Sequence, residues 1–140
     1  MTAQDGPTTR LASRPVLLLL PGLLCNEVVW RDQIAALGDR VDCRVADFYG
    51  ARTLPEMAGR ALALCDGPFA VAGHSMGGRV ALEIWRLAPD RVQGLALLVT
   101  GAHPARPSEH ESRLALVRLA REQGMAALAE RWLPPMLHPD

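Results

Sequence analysis

Gly73-His74-Ser75-Met76-Gly77 is the stretch of this chain best suited to covalent chemistry. A serine hydroxyl is a weak nucleophile. It becomes a useful one when the backbone lifts it clear of its neighbours, a base takes its proton, and hydrogen-bond donors wait for the oxyanion. Here the serine stands between a short apolar run, Phe69 to Ala72, and a helical pattern that follows at once. G-x-S-x-G set between a strand and a helix predicts a tight turn in which the serine takes a strained backbone conformation. Gly73 and Gly77 flank it at two positions on either side because so sharp a turn leaves no room for side chains there. The N–H of Met76 then opens the helix and points at a bound oxygen. The chemistry implied is acyl transfer through Ser75.

A second oxyanion donor has to come from a loop at the carboxyl end of a neighbouring strand. Val16-Leu17-Leu18-Leu19-Leu20 is apolar on every residue, which predicts a strand buried on both faces. Pro21-Gly22 ends it, and in the loop Pro21 to Asn26 Gly22 lets the backbone approach while Leu23 can offer its N–H. Pro-Gly also occurs in ordinary turns, so this donor rests on its place after the strand. Further elements follow in regular order. Asn26 predicts the N-cap of a helix over Glu27–Leu37, with Trp30, Ile34 and Leu37 on one face and Gly38 as its stop. Val41–Ala46 alternates, as a strand near a sheet edge would. Thr53-Leu54-Pro55-Glu56 predicts a capping box and a helix to about Cys65 with Leu54, Met57, Ala58 and Ala61 inward. After the serine, Val80, Ile84 and Leu87 predict the buried stripe of a helix closed by Pro89, and Gly94–Thr100 is a further apolar strand. Strand-helix alternation of this kind predicts an α/β fold, a parallel sheet of about four strands with helices on both faces. Beyond Gly101, Ser108-Glu109-His110-Glu111 predicts a second capping box. Two helices, to about Gln123 and from Met125 to Leu133, read as the start of a lid.

Composition narrows the partners. Fifteen basic and fifteen acidic side chains give a formal net charge of zero, so nothing favours nucleic acid or an anionic membrane surface. Arg79, Arg86 and Arg91 predict a solvated face. Cys25, Cys43 and Cys65 are widely spaced and odd in number, which fits free, mostly buried thiols in a reducing compartment. Pro21-Gly22 breaks the first apolar run too early for a signal peptide, and a cytoplasmic location is expected. No metal-ligand or phosphate-binding pattern is present in the sequence, since His110-Glu111 lacks a second histidine, and no cofactor is expected. The remaining imidazoles, His74, His103, His110 and His138, offer no evident base: His74 lies inside the turn and should point away from the hydroxyl, and the others read as surface residues.

Three segments together, Pro21–Asn26 with Trp30, Gly73–Gly78, and Pro89-Asp90-Arg91-Val92, resemble the α/β-hydrolase superfamily. The likeness is to its small esterase branch, which includes pimeloyl-carrier-protein methyl ester esterases and enol-lactonases, and it runs from Pro15 to Asp140. It implies a partial α/β-hydrolase fold. Residues 1–14 would be a disordered lead-in, 15–103 the N-terminal part of the core, with the third to sixth strands of the family sheet, and 104–140 the start of the helical lid. It also implies hydrolysis of a small-molecule carboxylic ester, lactone or thioester through an acyl-serine, with Ser75 as nucleophile and the N–H groups of Leu23 and Met76 as the oxyanion hole. Many relatives have His-Gly where this chain has Pro21-Gly22, which keeps the backbone donor and removes an imidazole that would brace the loop. The family's acid and histidine follow later strands, so both are expected beyond Asp140, with this chain alone inactive or very weak. The alternative, from a different class, is a non-catalytic fragment of the same fold that binds a ligand or partner, with self-association through an exposed edge at Gly94–Thr100.

Overall fold

The computed structural model describes residues 14–104 and 106–137; the first thirteen residues of the expected lead-in, and His138, lie outside them. The chain divides into two compact units, Met1–Ala102 and His103–Asp140.

The first unit is a parallel sheet of four strands, β1 (Val16–Leu20), β2 (Asp42–Val45), β3 (Phe69–His74) and β4 (Val92–Leu98), in the order β2-β1-β3-β4. The unbroken apolar run of β1 follows from its central place. Its side chains alternate between two cores, as a period of two requires. Leu18 and Leu20 join Phe69 and Val71 beneath Met57, Ala58 and Ala61 of α2 (Leu54–Leu62) and Val80, Ala81 and Ile84 of α3 (Met76–Leu87). Leu17, Leu19 and Ala72 face the opposite side, where Trp30 and Ile34 cover them. Both faces of the sheet therefore carry helices. Ile84 is fully buried in the larger core. An Ile84→Ala substitution is expected to lower unfolding stability by about 3 kcal/mol in chemical denaturation, through lost burial and a residual cavity.

Local departures from the sequence reading have local causes. The helix expected over Glu27–Leu37 is split into a 3-10 turn, Glu27–Trp30, and α1 (Arg31–Leu37). Trp30 sits at the joint with φ −107° and ψ 2°, and its indole is turned into the smaller core. The cap itself forms, with the Asn26 side chain accepting from the Val28 N–H at 3.1 Å. In α2 the Thr53 hydroxyl accepts from the Glu56 N–H at 3.2 Å, but the glutamate reaches one residue further back than a capping box requires, to the Arg52 N–H at 2.9 Å. That bond first, and then the Arg60 guanidinium, hold the Glu56 carboxyl below its ordinary range. The buried face of α3 consists of Gly77, Gly78, Val80, Ala81 and Ile84; Leu87, in the last turn before Ala88 ends the helix, is exposed.

Arg91 is not part of a solvated face. Its guanidinium lies 5.2 Å from the centre of the Phe69 ring and donates to the carbonyls of Cys65 and Gly67. It ties the loop after α2 to the entry of β4. Arg86 does sit at the surface, paired with Glu83 at 2.7 Å. β4 begins two residues earlier than expected and stops at Leu98. It is as apolar as β1, yet Leu95, Leu97 and Leu98 are each about two-fifths exposed, because β4 is the outermost strand on its side of this sheet.

The second unit is α4 (Pro107–Trp132), in which two helical segments meet at Gly124 with φ 87° and ψ 175°. Glycine tolerates that left-handed φ where other residues would strain. The expected capping box at Ser108 is displaced. Pro107 takes the first helical position, where its missing N–H costs nothing, so Arg106 is the cap and its N–H donates to the Glu109 carboxylate at 3.4 Å. Among the described residues no helix is long and apolar enough to cross a membrane.

Candidate active site

The chain leaves β1 on one side to build β2, then returns past β1 to add β3 and β4 on the other. The two directions part between β1 and β3. In an open parallel sheet the crevice at the carboxyl ends of such a pair is where ligands bind. Both segments singled out in the sequence emerge there. Leu20 pairs with Gly73 in the parallel register, after which Pro21 leaves one strand and His74-Ser75 the other.

Ser75 has φ 54° and ψ −115°, a conformation that costs a non-glycine residue about 1–3 kcal/mol. Its surroundings impose it. The Ser75 N–H donates to the Leu98 carbonyl at 2.9 Å, and its carbonyl accepts from the Gly78 N–H at 3.0 Å and from the Thr100 hydroxyl at 2.6 Å. The serine side chain caps nothing, although Ser75 occupies the N-cap position of α3. Close packing accounts for the glycines. A Cβ on Gly73 would overlap the Gly77 carbonyl, and one on Gly77 would overlap the Leu20 carbonyl and lie 2.7 Å from that of Pro21. A Cβ on Gly22 would lie 2.9 Å from His74 Nδ1 and 3.3 Å from Ser75 Cβ. The loop after β1 is thus pressed against the serine turn with no space for a methyl group.

In that loop Leu24 has φ 60°, and the Cys25 N–H closes onto the Gly22 carbonyl at 3.2 Å. No turn or loop hydrogen bond among the described residues uses the Leu23 N–H. Met76, as the first residue of α3, has no acceptor within the helix for its own N–H. Both groups named in the sequence as oxyanion donors are therefore unspent. Cys25 is exposed, against the expectation of a buried thiol, and its Sγ lies 3.5 Å from the Leu23 carbonyl; Cys65 is buried and Cys43 half-buried. Burial first, and the Asp42 carboxylate second, push the Cys43 thiol up.

The imidazoles behave differently from one another. His74 turns its Nδ1 into the protein, where it is buried without a partner beside Gly22. The imidazole of the neighbouring strand thus packs against the loop after β1. His103 and His110 are exposed, and His103 Nδ1 is 3.0 Å from the Pro104 carbonyl. The sheet unit holds no imidazole besides His74. Thr100 is the contributor that the sequence reading passed over, as the last residue of an apolar strand. A signal was present in Gly78. A second glycine inside the first turn of a helix, where no turn geometry asks for it, marks the close approach of another group, and a Cβ there would meet the Thr100 side chain at 2.5 Å.

Solved structures place this architecture among hydrolases. The chain is similar to a thermophilic esterase from Thermogutta terrifontis, at 28% identity and a TM-score of 0.75 over 87% of this chain and 50% of that one. It is similar to a hydrolase from Pseudomonas aeruginosa PA01, at 27% identity and a TM-score of 0.70 over 90% of this chain and 53% of the other. A carboxylesterase structure from the thaumarchaeon Nitrososphaera gargenis shares the fold, at 22% identity and a TM-score of 0.74 over 91% and 52% of the respective chains. The chain spans about half the length of each of these structures. No curated protein sequence matches it significantly. Residues 58–131, more than half of the chain, match the family model of the thioesterase domain, and with its parallel sheet and strained serine turn the chain belongs to that family, on the α/β-hydrolase fold.

Proposed function

We propose that this chain carries the nucleophile and oxyanion hole of a serine hydrolase acting on a carboxylic ester or thioester, or a related lactone. The observation that carries the reading is Ser75 itself, held at φ 54° between β3 and α3 at the point where the sheet reverses direction. Ser75 Oγ attacks the acyl carbon, and its proton passes to a base. The carbonyl oxygen becomes an oxyanion, received by the N–H groups of Leu23 and Met76. Collapse of the tetrahedral adduct expels the alcohol or thiol, which takes up the proton, and leaves an acyl-serine. Water then attacks that ester and releases the carboxylic acid and Ser75. The base and its orienting acid are assigned to polypeptide outside these 140 residues, a reading supported by the half-length match to esterase structures. Residues 104–140 are assigned to the lid, and the location to the cytoplasm.

A fluorophosphonate probe followed by peptide mass analysis tests the nucleophile. Labelling is expected on Ser75 and absent from Ser75→Ala. For the 140-residue chain alone the rate should fall below that of a complete triad by a factor of roughly 10⁴ to 10⁶. Well-folded protein that takes no label after prolonged exposure would argue against the enzyme reading.

One observation favours a second reading, a non-catalytic module that pairs with another chain. The outer side of β4 is a row of main-chain groups flanked by half-exposed leucines, with no charged residue from Val92 to Thr100. Such an edge accepts a further strand. Native mass that rises with concentration, together with an unlabelled Ser75, would favour that reading over hydrolysis.

A further inference from the structure

We propose that Thr100 is a positioning residue that aims the Met76 N–H, a role that rests on the assignment of this N–H to the oxyanion hole. The argument begins with the ladder between β3 and β4. In a parallel pair, a residue's N–H and C=O bond to two positions on the neighbouring strand that lie two residues apart. Ser75 continues this pattern, with its N–H on the carbonyl of Leu98. Its carbonyl should then accept from the backbone N–H of Thr100. Between those two positions stands Val99 with φ 49°, a left-handed conformation that a β-branched residue adopts only under constraint. The ladder breaks there, and the Thr100 hydroxyl takes over the bond, donating to the Ser75 carbonyl at 2.6 Å.

That bond fixes more than an oxygen. The Ser75 carbonyl and the Met76 N–H belong to one planar trans peptide, so they point in opposite directions. Holding the carbonyl toward β4 directs the N–H away from it. Thr100 cannot easily swing aside, because its Cβ, Cγ2 and Oγ1 fill the space in which any side chain at position 78 would lie. The methyl group seats the residue against Gly78, and the hydroxyl, together with the Gly78 N–H on the same carbonyl, sets the peptide plane.

The test uses two variants of the full chain with different deletions. Thr100→Val keeps the shape and loses the hydroxyl, whereas Thr100→Ser keeps the hydroxyl and loses the methyl. In Thr100→Val the Met76 amide resonance should move and the Gly78 amide should exchange faster with solvent, while the denaturation midpoint stays close to wild type. Fluorophosphonate labelling of Ser75 should slow by about tenfold, less than the loss of a whole oxyanion donor would cause. Thr100→Ser should restore both the resonance and the rate. An unmoved Met76 amide in Thr100→Val, or a Thr100→Ser variant as slow as Thr100→Val, overturns the proposal. If wild-type protein takes no label while the Met76 amide still moves in Thr100→Val, the positioning holds and the nucleophile assignment falls.

Discussion

A Gly77→Ala substitution is expected to leave the sheet unit unable to fold. On helix propensity alone the change should help, since alanine exceeds glycine by about 1 kcal/mol in a helix interior. Contact with β1 reverses the sign. The new methyl would overlap the Leu20 carbonyl and crowd that of Pro21, and both are main-chain atoms at the end of the central strand. Neither can move without breaking the register in which Leu20 pairs with Gly73. Overpacking against backbone costs more than the 1–3 kcal/mol usual for side chains, and a penalty of roughly 5 kcal/mol would consume most of a small domain's stability. Soluble yield and the far-ultraviolet circular dichroism of the purified protein measure the outcome. A cooperative, wild-type-like melt would mean that α3 does not approach β1 as closely as the structure has it.

Ser75→Gly is expected to raise stability and abolish reactivity together. Glycine adopts a positive φ without the strain that serine carries at 54°, which favours the variant by about 1 kcal/mol after allowance for its looser unfolded state. No capping bond is lost, because the serine side chain makes none. Ser75→Ala removes the hydroxyl equally but keeps a Cβ in the strained conformation. It should be no more stable than wild type, and neither variant should take the fluorophosphonate label. The difference between the two in urea denaturation isolates the strain. If Ser75→Gly proves no more stable than Ser75→Ala, then strain is not stored at this residue.

Much of this architecture could be read from residue order. The unbroken apolar run of β1 announced burial on both faces, and the alternation in Val41–Ala46 announced an edge. Gly73, Ser75 and Gly77 stood out because the turn admits so few residue types. Other features had no signature in the chain. β4 is as apolar as β1, and only the strand order shows that its outer side is uncovered. The left-handed conformations of Leu24 and Val99 fall on residue types that give no sign of them. Arg91 looked like any surface arginine until Phe69 and two carbonyls were found around it. Gly78 signalled that some group comes close, but not that it is Thr100: a hydroxyl that replaces a ladder N–H differs from an ordinary strand-end threonine only in where the neighbouring strand lies.

The order β2-β1-β3-β4 also sets when the serine turn can come into being. β1 and β3 are adjacent in space but about fifty residues apart along the chain, so their pairing waits on closure of a long loop. The strained turn then needs Leu98 and Thr100, which follow β1, β2 and β3 along the chain. A growing chain that has made only β1, β2 and β3 lacks the Leu98 and Thr100 bonds that hold Ser75 at φ 54°. The strained serine turn is therefore set only after β4 has joined β3.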